Sequence, residues 1–293
     1  MALLPTYLRH VCFVCLCSVL VPLPAAGAPR PLNIVVINPE LSSPEEKTRE
    51  SVQTFTRRLE EVLKWKSGTM RGHAFRNLEE AQAFIDKEQP VLGILAVHPF
   101  VQLYKARKVQ IVGYASPNET KHQRYNLLSR SSDSLSALPH QNRNLRLAGT
   151  VKDMQWLNVI FDGNLDPRTH FQHVAVASEE EAVEAVSAKR ADVALVWGEH
   201  LKRYEKHLRQ GGLRVSFTSS KFPPLTVVTF KHAAKSHVKA AKPLAKALPE
   251  VCNGAKNVAA KNLATCAALG FHTMEAKEHE LHPHLIYKYE NYK

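Results

Sequence analysis

Short apolar runs alternate with amphipathic stretches along this chain, and the two patterns mark strands and helices in turn. Leu32 to Ile37 (LNIVVI) is a short, β-branched apolar run of the kind that forms a strand buried on both faces. Ser43-Pro44-Glu45-Glu46 then supplies an N-cap, a proline at the first helical position and a glutamate at the third. Val52, Phe55, Leu59, Val62 and Leu63 follow at intervals of three and four, which predicts a long amphipathic helix. Asn77 caps a second helix running through Ala81, Phe84 and Ile85, with Glu80 in the capping position. Val91 to Val97 (VLGILAV) and Val109 to Tyr114 read as further strands. Alternation of this kind implies a mostly parallel sheet covered by helices.

The pattern restarts in the second half. His173 to Ala177 (HVAVA) reads as a strand, Ser178-Glu179-Glu180-Glu181 as a capping box, and Val183 and Val186 as the buried face of the next helix. Ala191 to Trp197 (ADVALVW) is again a strand, followed by Gly198 and a helical run from Leu201 to Leu208. Between the two units lie weaker helix signals at Tyr125 to Leu128, Ser131 to Leu138 and Leu145 to Thr150. Two α/β units joined by extended segments predict two lobes and a cleft. Ligands of open α/β sheets sit beyond the carboxyl ends of the strands, so the loops there are the candidates for contact.

The five cysteines bear on the compartment. Cys12, Cys15 and Cys17 lie inside the apolar run Val11 to Leu23, which follows Arg9 and precedes Ala25-Ala26-Gly27-Ala28. That order reads as a secretory signal peptide at 1–27, cut after Gly27. The competing reading is an uncleaved anchor, against which stand Pro22, Pro24 and a run shorter than the roughly 20 residues of a spanning helix. The mature chain of about 265 residues is expected to be soluble and periplasmic or secreted, long enough for one large core or two smaller ones. Cys252 and Cys266 would then remain as an even pair, expected as a disulfide and not as a nucleophile or metal set.

Composition narrows the classes further. With 44% hydrophobic and 23% charged residues the chain is an ordinary globular one. Its net charge is +12, and losing Arg9 with the leader leaves +11, a surplus suited to an anionic partner. The densest lysines, Lys231 to Lys246, alternate with alanines at helical spacing and read as a solvated helix face, so no nucleic-acid partner is expected. The sequence carries no HExxH, P-loop, nucleophile elbow or dinucleotide fingerprint, hence no enzyme and no cofactor is expected. Asp192 reads as a strand-start residue. The tail with His272, Glu275, Glu278, His279, His282 and His284 lacks a recognised ligand spacing, so it is expected to be a solvated terminus without metal.

In serial order, the leader and first strand, GILAVHPF (93–100), VGYASPNETKHQRYNLLSRSSDSLSAL, LRLAGT, VASEEEAVEAVSAKRADVALVWGEHL and SSKFPPLTVVTF resemble the phosphate/phosphonate-type periplasmic solute-binding proteins, over roughly residues 31 to 270. The resemblance implies an α/β, two-lobe type II periplasmic binding protein fold, with mixed, mostly parallel sheets and two hinge-crossing strands. Lobe one would take residues 31–125 plus 222–293 and lobe two residues 126–221. It implies capture of a small solute by hinge closure, for delivery to an ABC-type membrane permease; the positive surplus favours an anion as that solute, and a monomer is the expected state of a protein that opens and closes around it. The alternative is a sensor domain of the same fold that signals to a protein partner.

Ligand candidates follow from loop position in that frame. They are Asn38 after the first strand; His98, Phe100 and Tyr104 after GILAV; Tyr114 on a crossing segment, where it either lines the cleft or packs the hinge; and Trp197, placed to stack on a ligand or to fill the core. Members of the family carry a Ser-Thr-Ser-Gly type loop at a helix start, where hydroxyls and N–H groups hold an anion. The corresponding stretch here is Gly149-Thr150-Val151-Lys152-Asp153-Met154-Gln155-Trp156. Thr150 and Lys152 remain candidates for an anion, whereas Asp153 and Trp156 suit a phosphonate poorly.

Overall fold

Strand β1 (Leu32–Ile37) sends alternate side chains to opposite sides of its sheet: Val35 and Ile37 join one apolar cluster, Ile34 and Val36 another. This is the two-sided burial that its unbroken apolar run anticipates. The computed structural model describes residues 31–38, 41, 45–106, 108–116, 122–130, 144–210, 212–233, 235–252 and 265–292. The leader at 1–27, the Ser43-Pro44 cap and the segment Ser131 to Leu138 lie outside the described residues. Among the described residues no helix is long and apolar enough to cross a membrane.

The first sheet has six strands. Around β1 lie β2 (Met70–Phe75) and β3 (Leu92–Leu95), both parallel to it, and then β10 (Leu225–Phe230), β4 (Val109–Ser116) and β11 (Thr273–Glu275), in the order β11-β4-β10-β3-β1-β2. β10 runs antiparallel to both β3 and β4. Helix α1 (Glu45–Leu63) lays Val52, Phe55 and Leu59 on one face of the sheet, together with Leu244 and Leu248 of α8 (Lys235–Cys252). Gly72 of β2 makes this approach possible, because a Cβ there would lie 2.0 Å from Val52 Cγ1. Cys252, at the end of α8, is joined to Cys266 by a disulfide. Lys239, Lys242 and Lys246 of α8 are exposed, as a solvated face requires. Helices α2 (Leu78–Glu88), capped by Asn77 through Glu80 N, and α3 (Val97–Lys105) cover the other face.

The second sheet has five strands in the order β7-β6-β8-β5-β9, with β7 (Phe171–Ala175), β6 (Leu145–Gly149), β8 (Val193–Trp197), β5 (Tyr125–Ser129) and β9 (Arg214–Thr218). Helix α6 (Glu179–Ser187), capped by Ser178, covers its outer face through Ala182, Val183 and Val186. Helices α4 (Met154–Ile160) and α5 (Pro167–His170) follow β6, and a 3-10 turn (Gly198–Tyr204) leads into α7 (Glu205–Gln210). The chain enters this sheet between β4 and β5 and leaves it between β9 and β10. The two crossings pair once: Gln123 N donates to Phe222 O and Phe222 N to Gln123 O, both at 2.9 Å.

Several local expectations change. Tyr125–Ser129 and Leu145–Gly149 are strands and not helices, because each finds a paired strand on both edges. Met70–Phe75 is a strand that no apolar run announces, since Arg71 is exposed on this sheet edge. Val97 begins α3 and does not extend β3. The expected solvated terminus is instead a packed helix, α9 (His282–Asn291), which buries His282, Leu285, Lys288 and Tyr289. Their spacing of three and four is a helical stripe that polar side chains disguise.

From Pro31 to Lys293 the chain forms one unit. A single apolar cluster runs through it, taking Val35, Leu95 and Phe100 from the first sheet and its helices, and Leu147, Trp156 and Leu195 from the second.

Candidate functional site

The carboxyl end of β3 and the start of α4 meet where the two sheets adjoin. Asp153 is the N-cap of α4, with its Oδ1 accepting from Gln155 N at 2.9 Å and Trp156 N at 3.2 Å. Its Oδ2 accepts from groups far off in the chain: His98 Nε2 of α3 at 2.8 Å, Gln102 Nε2 of α3 at 3.2 Å and the Tyr289 hydroxyl of α9 at 3.4 Å. An ionised carboxylate only accepts, so His98 donates from Nε2. Burial by itself raises the Asp153 pKa, but the hydrogen bond and charge of His98, with the N–H groups of Trp156 and Gln155, outweigh it and hold the carboxyl at about 2. Burial, followed by the Asp153 charge and hydrogen bond, pushes the Tyr289 phenol up, so it stays protonated and donates.

Beside this polar contact lies an aromatic cluster drawn from both lobes. The His98 imidazole stacks on the Trp156 indole, with centroids 5.4 Å apart and planes 16° apart. Trp156 also meets Phe222 of the crossing at 5.3 Å, Tyr125 at 6.2 Å and Tyr289 at 6.3 Å, and Tyr125 meets Trp197 at 5.0 Å. Trp156 is fully buried, yet its indole N–H finds no acceptor among the described protein atoms. The side-chain oxygen Oε1 of Gln123, on the crossing that pairs with Phe222, is likewise buried without a donor. Orphaned polar atoms of this kind are rare and costly.

The sequence candidates fall at different depths. His98 lies at the junction and Trp197 reaches it through Tyr125. Asn38 is buried in lobe one, where a Cβ on Gly270 would come within 2.5 Å of its Nδ2. Tyr114 packs edge-on to His279 at 4.8 Å, and burial ahead of Glu275 raises its pKa. The Phe100 ring is fully buried against Tyr104 and His282. Tyr104 packs on Phe100 and lines a groove of 670 Å³ with Gln110, Lys231 and Glu290. Thr150 and Lys152 point to solvent, while Asp153 takes the N–H groups at the start of α4 for itself. Asp192 pairs with Arg146 at 3.0 Å, a structural role at the start of β8.

Asp153, Trp156, Gln102, Tyr125, Phe222 and Tyr289 were not among those candidates. An Asp before an apolar helix is a readable N-cap, but nothing local says what else its carboxylate meets. His279 and His282 are buried in lobe one, with His282 Nε2 3.0 Å from Thr226 Oγ1, and among the described residues no group of three His, Cys, Asp or Glu is arranged to hold a metal ion.

The chain matches no protein-family model and no curated protein. It is similar to solved structures across most of its length. One is a binding protein component of an ABC phosphonate transporter from Pseudomonas aeruginosa, with TM-score 0.60 and 15% identity over 85% of this chain and 82% of that one. A second is PhnD1 from Prochlorococcus marinus in complex with methylphosphonate, with TM-score 0.61 and 11% identity over 89% and 94%. A third is a Xanthomonas citri protein bound to ATP, with TM-score 0.66 and 9% identity over 88% and 96%. The likeness establishes the architecture: the chain has the two-lobe type II periplasmic binding protein fold.

Proposed function

We propose that this chain is an exported solute-binding protein that closes its two lobes around a small anionic molecule and delivers it to an ABC-type membrane permease. The observation that carries the reading is the pair of orphaned polar atoms at the junction, the Trp156 indole N–H and Gln123 Oε1. Each is a buried hydrogen-bonding group without a partner among the described residues, which a bound solute reaching it would satisfy. The excess of basic residues favours an anion. The two crossings between the sheets, paired at Gln123 and Phe222, would serve as the hinge, and closure about such a hinge is a binding motion with no chemical step.

The contacts that the lobes make directly, with His98 on Asp153 and Trp156 among aromatics, favour a second reading in which the closed form is recognised by a signalling partner. A thermal-shift series with inorganic phosphate, methylphosphonate, methanesulfonate and amino acids tests the first. A ligand that binds only the folded state raises the melting temperature by mass action, so one class is expected to give a rise of several degrees. No rise with any of them, on protein refolded from denaturant, moves the weight to the partner reading.

A further inference from the structure

The contact at Asp153 bears on how the same junction is regulated, an inference that rests on the solute-binding reading. Five donors surround one carboxylate within 3.4 Å, and three of them, from His98, Gln102 and Tyr289, come from outside lobe two. Helix α9 reinforces the contact. At one end His282 lies against Phe100, ring centroids 5.3 Å apart, and Thr226 of the first lobe. At the other, the backbone oxygen of Tyr289 accepts from Gln155 Nε2 at 2.6 Å. Lys288, only 6% exposed, pairs with Asp162 beyond α4 and donates to Ser220 Oγ at 3.0 Å. Pulling α9 away from α4 would break the Lys288–Asp162 ion pair together with the Lys288–Ser220 and Gln155–Tyr289 hydrogen bonds, so α9 resists release.

We propose that Asp153, His98 and helix α9 form an intramolecular latch that holds the lobes shut, so that a solute enters only after α9 releases α4. Solute affinity is then the intrinsic affinity scaled by the unlatched fraction. The latch has a signature that a ligand contact lacks. Removing a residue that touches solute weakens binding, whereas removing a latch residue tightens it.

Two variants separate these cases. Asp153→Asn keeps a good N-cap while discarding the charge. Lys288→Met keeps a long unbranched side chain while discarding the ion pair. Small-angle scattering on protein refolded from denaturant reads closure. Calorimetric titration with inorganic phosphate, methylphosphonate and methanesulfonate reads affinity. The wild type is expected to be compact, each variant to show a larger radius of gyration, and binding by the variants to be about tenfold tighter or more. Identical scattering from variants and wild type, a wild type as extended as the variants, or weaker binding by the variants overturns the latch. Variants that open yet bind none of the three anions leave the latch standing and remove the anion-capture reading. A wild type that binds while the variants stay closed does the reverse. Should Lys288→Met lose its cooperative melt, Tyr289→Phe, which deletes only the hydroxyl facing Asp153, serves in its place.

Discussion

His98 on α3 and Asp153 at the start of α4 stand 55 positions apart in the chain and meet at 2.8 Å where the two sheets adjoin. The contact joins an N-cap to the opposite lobe, so one carboxylate stabilises a helix start and a domain junction at once. Two titratable groups of the fold, this carboxylate and the neutral His282, give the protein a definite response to pH.

Asp153 is held at about 2, below its ordinary 3.8, chiefly because His98 and two backbone N–H groups outweigh burial. A carboxyl lowered on folding contributes stability that is complete above its unfolded pKa and is lost as pH falls through the folded value. The contribution is roughly 2 kcal/mol, fading between about pH 4 and pH 2. Urea denaturation at pH 7, 4 and 2 should show this loss in the wild type and a shallower one in Asp153→Asn.

His282 is fully buried beside His279, Phe100 and Thr226, and burial, then the His279 charge, lowers its pKa to about 3 from 6.5. The unfolded chain takes up this proton at a higher pH than the folded one. Stability is therefore intact above about pH 6.5 and falls by up to about 1.4 kcal/mol per pH unit toward pH 3. Replacing His282 by Gln should flatten the melting temperature over that window, and an unchanged slope would place the acid sensitivity elsewhere.

Gly72→Ala puts a Cβ at 2.0 Å from Val52 Cγ1, with Thr56 Cγ2 at 2.9 Å. The neighbour is a branched side chain on a packed helix, so the substitution should cost about 1–3 kcal/mol. Adding Val52→Ala should recover part of that cost, because the two sites share one contact. Simple additivity in chemical denaturation would mean that the strain lies elsewhere.

Reducing the Cys252–Cys266 disulfide, which spans 14 positions, should lower stability by about 3 kcal/mol through the freedom returned to the unfolded chain. Since the bridge closes on the α1–α8 side of the first sheet, solute binding at the junction should survive reduction at temperatures where the protein stays folded. Melting curves and titrations with and without reductant check both halves.

Strands β1, β3 and β8 were legible because both of their faces are buried, leaving runs of apolar residues with little polar interruption, and α2 and α6 because Asn77 and Ser178 cap them through local hydrogen bonds. β2 was not, since an edge strand with exposed Arg71 needs no continuous apolar run. Nor was α9, whose inward stripe carries His282 and Lys288; those polar groups tolerate burial only because Thr226 and Asp162 from distant segments pair with them. The sequence by itself determined the two α/β units, their caps and the cysteine pair, because apolar periodicity and capping act over a few residues. Only the tertiary structure decided that the Asp153 carboxylate is met by His98, Gln102 and Tyr289, because hydrogen bonds between residues 51 to 136 positions apart depend on how the chain brings its helices together.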